Sequence, residues 1–197
     1  MNKFLISLLW LAPLLAAGQT EPFKPVFTNM TEFGGLFGQV RYGTPSSESV
    51  SKRINLTAQT FNGIQLRPRL AVGGTVGVDW YNAAMITPVC ASVRYDISRP
   101  SQDKTTQKNL RIFTSLDTGW GFTWLNEDPT GYKTTGGWVV SPGIGFRIGK
   151  PANTNFIMSL SYKRQEANAE KPLFWSELAK HETRVYNRVA FRLGLAF

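Results

Sequence analysis

The chain has 197 residues, 42% of them hydrophobic and 18% charged, and a formal net charge of +9. That length suits one domain. The single cysteine, Cys90, cannot form an internal disulfide, and one histidine with one cysteine offers no metal-ligand spacing, so no cofactor or metal is expected. The positive charge would favour nucleic acid in a soluble protein, but the basic residues are spread along the chain, and the start of the sequence points to export; no nucleic-acid partner is expected.

The first element is a secretory leader. Met1-Asn-Lys3 is a short positive start, Phe4 to Ala17 is apolar apart from Ser7 and Pro13, and Ala16-Ala17-Gly18 supplies small residues before Gln19. This is the three-part layout of a signal peptide, and the stretch is too short for a helical span. Cleavage is expected after Gly18, with Ala17 as the alternative. Residues 1–18 are therefore read as signal peptide, 19–31 as a short periplasmic N-terminal segment and 32–197 as the folded domain. The mature chain keeps 21 Lys and Arg against 13 Asp and Glu, a net +8. No later run is long and apolar enough for a helix to cross a membrane, so the protein is either exported and soluble or crosses as strands.

Eight segments then alternate with period two, the repeat of a strand whose side chains leave opposite faces. They fall near 32–42, 54–66, 68–81, 85–97, 109–124, 134–148, 155–166 and 184–197. In the fifth, Leu110, Ile112, Leu116, Trp120, Phe122 and Trp124 oppose Arg111, Ser115, Asp117, Gly119 and Gly121. In the last, Val185, Val189, Phe191, Leu193, Leu195 and Phe197 oppose Tyr186, Arg188, Ala190, Arg192, Gly194 and Ala196. Glycines at 34, 35 and 38 blur the faces of the first segment. Asn62-Gly63 has hairpin chemistry, but turning near Leu66-Arg67-Pro68 gives balanced strands. Pro142 inside the sixth strand predicts a bulge or a broken ladder. Each segment reaches or exceeds the roughly 9–11 residues that a tilted strand needs to cross a bilayer.

One apolar face and one mixed face on every strand fits a membrane barrel with lipid outside and a polar lumen. Aromatics collect at strand ends. Tyr42, Trp80, Trp120, Phe122, Trp124, Trp138 and Tyr162 map to one rim, and Tyr95, Phe146, Phe156 and Phe197 to the other, as interfacial belts do. An even strand count places both termini on one side, the periplasm in bacterial barrels, with the 167–183 connection outside. That connection carries Pro172, Leu173, Phe174 and Trp175; it is expected to fold its aromatics onto the rim or to form a short amphipathic helix that meets a surface partner.

The inward set is rich in arginine. Arg69, Arg94, Arg111, Arg147, Lys163, Arg184, Arg188 and Arg192 oppose Asp79, Asp96 and Asp117. Two readings stay open: a plugged interior in which the charges bond to one another, or a basic vestibule, with Arg69, Arg94, Arg111, Arg147, Arg188 and Arg192 as a candidate anion site. His181, with Ser176 nearby in sequence, is the one candidate catalytic base, but no matching motif accompanies it and no catalytic residue is assigned.

Gln59-Thr-Phe-Asn-Gly63, Arg67-Pro-Arg-Leu-Ala-Val-Gly-Gly-Thr-Val-Gly-Val-Asp79, Ser141-Pro-Gly-Ile-Gly-Phe146 and the ending Asn187-Arg-Val-Ala-Phe-Arg-Leu-Gly-Leu-Ala-Phe197 give the chain its family likeness. It resembles the small eight-stranded outer-membrane barrels of OmpA/OmpX type, and more narrowly the outer-membrane beta-barrel domain proteins of Bacteroidota. Phe191, Leu193, Leu195 and Phe197 also resemble the C-terminal assembly signal of such barrels. The resemblance implies an all-β, eight-stranded antiparallel up-and-down transmembrane barrel in the bacterial outer membrane. It further implies outer-membrane lipids, lipopolysaccharide and the barrel assembly machinery as partners. It says little of activity. A non-enzymatic structural or surface-interaction role is the leading expectation; a narrow anion-preferring pore or binding barrel, and a lipid-modifying enzyme using His181, are the alternatives.

Overall fold

The computed structural model describes residues 23–44, 47–81, 84–98, 109–126, 133–149, 153–172 and 179–197. The expected signal peptide lies outside these residues, as do the side chains of Tyr42 and His181. Eight strands follow in order: β1 (Val26–Thr44), β2 (Ser47–Arg67), β3 (Leu70–Tyr81), β4 (Ala84–Asp96), β5 (Asn109–Phe122), β6 (Lys133–Gly149), β7 (Asn155–Pro172) and β8 (Ala179–Ala196). Each pairs antiparallel with its sequence neighbour, and β1 pairs with β8 to close the barrel. The closing seam runs from Met30↔Ala196 to Gly43↔Thr183. Val26 and Phe197 share one end, the terminal end, where Asn29 and Phe197 exchange backbone hydrogen bonds of 2.9 and 3.1 Å. The β1–β2, β3–β4, β5–β6 and β7–β8 connections share the other, the hairpin end.

Period two is what makes this shape possible, because it sorts side chains to two faces along every strand. Phe33, Phe37, Leu56, Val76, Val89, Leu116, Ile144, Leu160, Phe191 and Leu193 stand outward and exposed. Trp80, Trp120, Trp124, Trp138 and Tyr162 are exposed towards the hairpin end, and Phe27, Tyr95, Phe156 and Phe197 towards the terminal end. Inside, the described buried positions hold 20 polar or charged residues against 17 hydrophobic ones. That is the inverse of a water-soluble core, and an apolar exterior of this extent is stable only against lipid.

Several boundaries move. β1 begins at Val26, so six residues of the expected periplasmic segment 19–31 belong to the ladder. β1 and β2 meet across residues 45–46, where a loop over 43–53 was expected, and β7 and β8 run on to Pro172↔Ala179. Most of the expected 167–183 loop is therefore strand; residues 173–178, with the expected aromatic helix or rim contact, lie outside the described residues. The reason is common to both hairpins. Above the lipid the outward positions turn polar, as Gln39, Lys52, Arg164 and Asn168 do, so the apolar lipid-facing pattern stops while backbone pairing continues. β2 passes through Asn62-Gly63, which face Gly74 and Gly73, and turns at Pro68-Arg69. The expected disturbance at Pro142 is present. Neither Ser141 nor Pro142 is laddered to β7, and the register shifts between Gly136 and Val139.

Two glycines hold the closing seam together. A Cβ at Gly34 would lie 1.9 Å from the Phe191 carbonyl oxygen, and one at Gly38 2.5 Å from that of Asn187. Gly38 also has φ of 147°, a region that side chains disfavour. Gly38→Ala should therefore destabilise the barrel by about 1–3 kcal/mol, read as a lower urea midpoint for unfolding in detergent. An unchanged midpoint would mean that the seam tolerates a wider strand spacing there.

Candidate functional site

The filled lumen is built in layers that the register sets. At the terminal end Met30, Phe61, Ala71, Phe113, Ile157 and Ala196 form one apolar cluster. At the hairpin end Leu36, Val40, Tyr81, Ala84, Ile86, Ala167, Tyr186 and Ala190 form another. Between them, strand by strand, lie the polar residues: Glu32 on β1, Thr57 on β2, Thr75 and Asp79 on β3, Ser92 on β4, Ser159, Ser161 and Lys163 on β7 and Arg192 on β8. Tyr81 and Tyr186 stack in the hairpin-end cluster with ring centroids 4.1 Å apart.

The polar layer holds two close charge pairs and further charges bonded to neutral groups. The Asp117 carboxylate accepts from the Arg94 guanidinium at 2.6 Å and from Thr75 at 3.3 Å, and Arg94 lies 4.7 Å over the Phe61 ring. Lys163 donates across the lumen to Asp79, which also accepts from Thr57 at 2.7 Å and Tyr81 at 3.3 Å. Glu32 accepts from Ser159 and, at 2.8 Å, from Gln59. Arg192 donates to Ser161 at 2.9 Å, while its Nε and Nη2 have no partner and are buried. Arg188 donates to the Gly38 and Arg53 carbonyls, both at 2.6 Å, inside the hairpin-end half.

The six arginines of the candidate anion site are thus dispersed. Arg188 stands in the hairpin-end half, Arg192 and Arg94 in the polar layer. Arg69 lies in the β2–β3 turn, where strand 3 was expected to have begun. Only Arg69, Arg111 and Arg147 gather at the terminal mouth, around Asp96. The Arg147 and Arg111 guanidinium nitrogens approach that carboxylate to 3.8 and 4.0 Å. Arg69, Arg94, Asp96 and Arg147 line a narrow recess there. Glu32 and Glu182 are inward acids that sequence reading missed. The parity of Met30, Glu32, Leu36 and Val40 would have given Glu32, but Gly34, Gly35 and Gly38 hid it. Glu182 stood in an assumed loop. His181 occupies the β7–β8 ladder opposite Glu170, where a loop–strand junction was expected, and Ser176 lies outside the described residues. Among the described residues no group of three His, Cys, Asp or Glu is placed to hold a metal ion.

No protein-family model matches the chain, and no curated protein does. Solved structures with this shape exist. The outer membrane protein OprG from Pseudomonas aeruginosa is similar with a TM-score of 0.58 at 10% identity, over 86% of this chain and 93% of that one. The outer membrane protein AlkL matches at a TM-score of 0.48 and 10% identity, over 92% and 93%. Neisserial surface protein A matches at 0.43 and 8%, over 88% and 98%. At such identity the first likeness shows the fold, and the chain has the closed, eight-stranded antiparallel fold of the small outer-membrane barrels.

The Lys163–Asp79 pair gives the polar layer a direct test. Both side chains are within 3% of full burial. Asp79→Ala should cost about 3–5 kcal/mol because it strands a buried ammonium. Lys163→Met in the same chain should recover most of that loss. Urea unfolding of both variants in detergent measures it; a double variant as unstable as the single one would mean that Asp79 is needed for its hydroxyl partners instead.

Proposed function

We propose that the protein sits in the outer membrane as a barrel with a closed lumen, and that it acts through its outer surfaces as a structural or surface-interaction protein, without catalysis. The observation that carries this reading is the pair of apolar clusters that bracket the polar layer. An ion crossing the lumen would have to part both clusters and break ion pairs between them, in a bore that eight strands leave barely wide enough for side chains.

The hairpin end offers the surface. Lys52, Gln39, Asn187 and Arg164 form one row across β2, β1, β8 and β7, set by the pairs Gln39↔Lys52, Gln39↔Asn187 and Arg164↔Asn187. Tyr162, one step nearer the apolar band, donates to Asn187 at 3.0 Å. Exposed Arg41 stands one step beyond. Cations just outside an aromatic belt suit the phosphates of lipopolysaccharide. A protein partner would meet the extended β7–β8 hairpin. In the same reading Phe191, Leu193, Leu195 and Phe197 present the outward face of the seam strand β8 to the assembly machinery.

Two experiments test this. Purified barrel in planar bilayers should be electrically silent; discrete conductance steps that fall when lumen arginines are neutralised would replace the closed-lumen reading with a narrow pore. Phe197→Ala should lower surface delivery several-fold while refolding in detergent stays near normal. Leu195→Ala and Phe191→Ala should show milder versions. Equal loss in delivery and refolding would make Phe197 a packing residue only.

A further inference from the structure

The terminal mouth holds an open basin of about 590 Å³ that the closed-lumen reading does not use. One wall carries Arg111 and Arg147, and the rim opposite carries Phe23, Phe27 and Phe197. The adjoining recess adds Arg69 and Arg94 to Asp96 and Arg147. Arg94 is engaged with Asp117 at 2.6 Å, whereas the remaining three arginines share one carboxylate, Asp96. Neither ion pair to Asp96 closes to hydrogen-bond distance, since 3.8 and 4.0 Å leave the guanidinium donors short of it. The Nε of Arg147 is buried without any partner. Arg94 and Lys163 each meet a carboxylate directly; here positive charge and donors are in surplus beside apolar surface.

We infer that this basin binds a phosphate-headed amphiphile, Arg111 and Arg147 taking the headgroup and the aromatic rim taking the first carbons of its chain. Guanidinium forks match phosphate oxygens, and a site with few other donors gains most from such a pairing. Phe27 is 65% exposed and Phe197 62%, which leaves both free to cover an acyl chain. The position agrees, because the end of a membrane barrel stands at headgroup level, where a phospholipid of the adjoining leaflet presents charge and chain together. The inference stands whether or not the lumen conducts.

The test uses the folded barrel in dodecyl maltoside, titrated calorimetrically with dihexanoyl phosphatidylglycerol and, separately, with inorganic phosphate. The lipid should bind at least tenfold more tightly than phosphate. Arg111→Gln with Arg147→Gln should weaken it tenfold or more. Asp96→Asn should tighten it, because it removes the carboxylate that competes for the arginines. Phe27→Ser should weaken the lipid and leave phosphate unchanged. Heat-modifiability on gels checks that each variant is folded, and if the double arginine variant fails that check, the Asp96 and Phe27 variants decide. Lipid bound no better than phosphate, or binding indifferent to these substitutions, would overturn the proposal.

Discussion

The structure depends on one constraint: in hydrocarbon there is no water to satisfy a backbone N–H or C=O, so a sheet that crosses must have no free edge. Here the edge is removed where β1 meets β8, over fourteen residue pairs from Met30↔Ala196 to Gly43↔Thr183. The first and last strands of the chain thus share a boundary that no local contact could build. Gly34 and Gly38 let the backbones approach along it. Once the sheet is closed, every strand must turn one face to lipid and the other to a narrow interior, and the alternation of the sequence acquires its meaning.

Closure also sets the interior packing. Eight strands enclose little more than side chains, so large residues need small neighbours. Phe113 lies over Gly145, where a Cβ would come within 2.4 Å of its ring, and Gln165 lies over Gly121, where one would come within 2.6 Å of its amide. Buried charges are tolerated because most have partners in the same layer. Asp117 serves Arg94 and Thr75; Asp79 serves Lys163, Thr57 and Tyr81. Such a network stiffens the lumen, since moving one member leaves another buried without its partner.

The two ends of the barrel are consequently different surfaces. At the hairpin end β2, β1, β8 and β7 rise as a connected sheet past the end of β3, which stops at Tyr81. At the terminal end the network opens onto a basin walled by Arg111 and Arg147 and a recess that holds Arg69 and Asp96. The middle is occupied by ion pairs such as Arg94–Asp117 and Lys163–Asp79.

The number of strands, their order, the lipid-facing sets and the turn beyond Asn62-Gly63 were all legible in the sequence, because period two is a local property and each apolar face must be continuous across the bilayer. Phe191, Leu193 and Leu195, or Leu110 and Leu116, declare their side without reference to any other strand. The faces of β1 were not legible, since Gly34, Gly35 and Gly38 carry no side chain to declare a side. Nor were the full heights of the β1–β2 and β7–β8 hairpins, because above the lipid the outward face is polar and the apolar pattern disappears while the ladder goes on. Arg94, Arg188 and Arg192 are buried on the lumen side, whereas Arg69 lies in the β2–β3 turn. Which of them meet is another matter: parity gives a face, whereas depth and partner depend on strand stagger around a closed ring. That stagger separates Arg188 from Arg111 and Arg147 and brings Lys163 on β7 to Asp79 on β3, because contacts across a barrel are fixed only when its first and last strands join, while Arg111 and Arg147 meet beside Asp96 through the register of the neighbouring strands β4, β5 and β6.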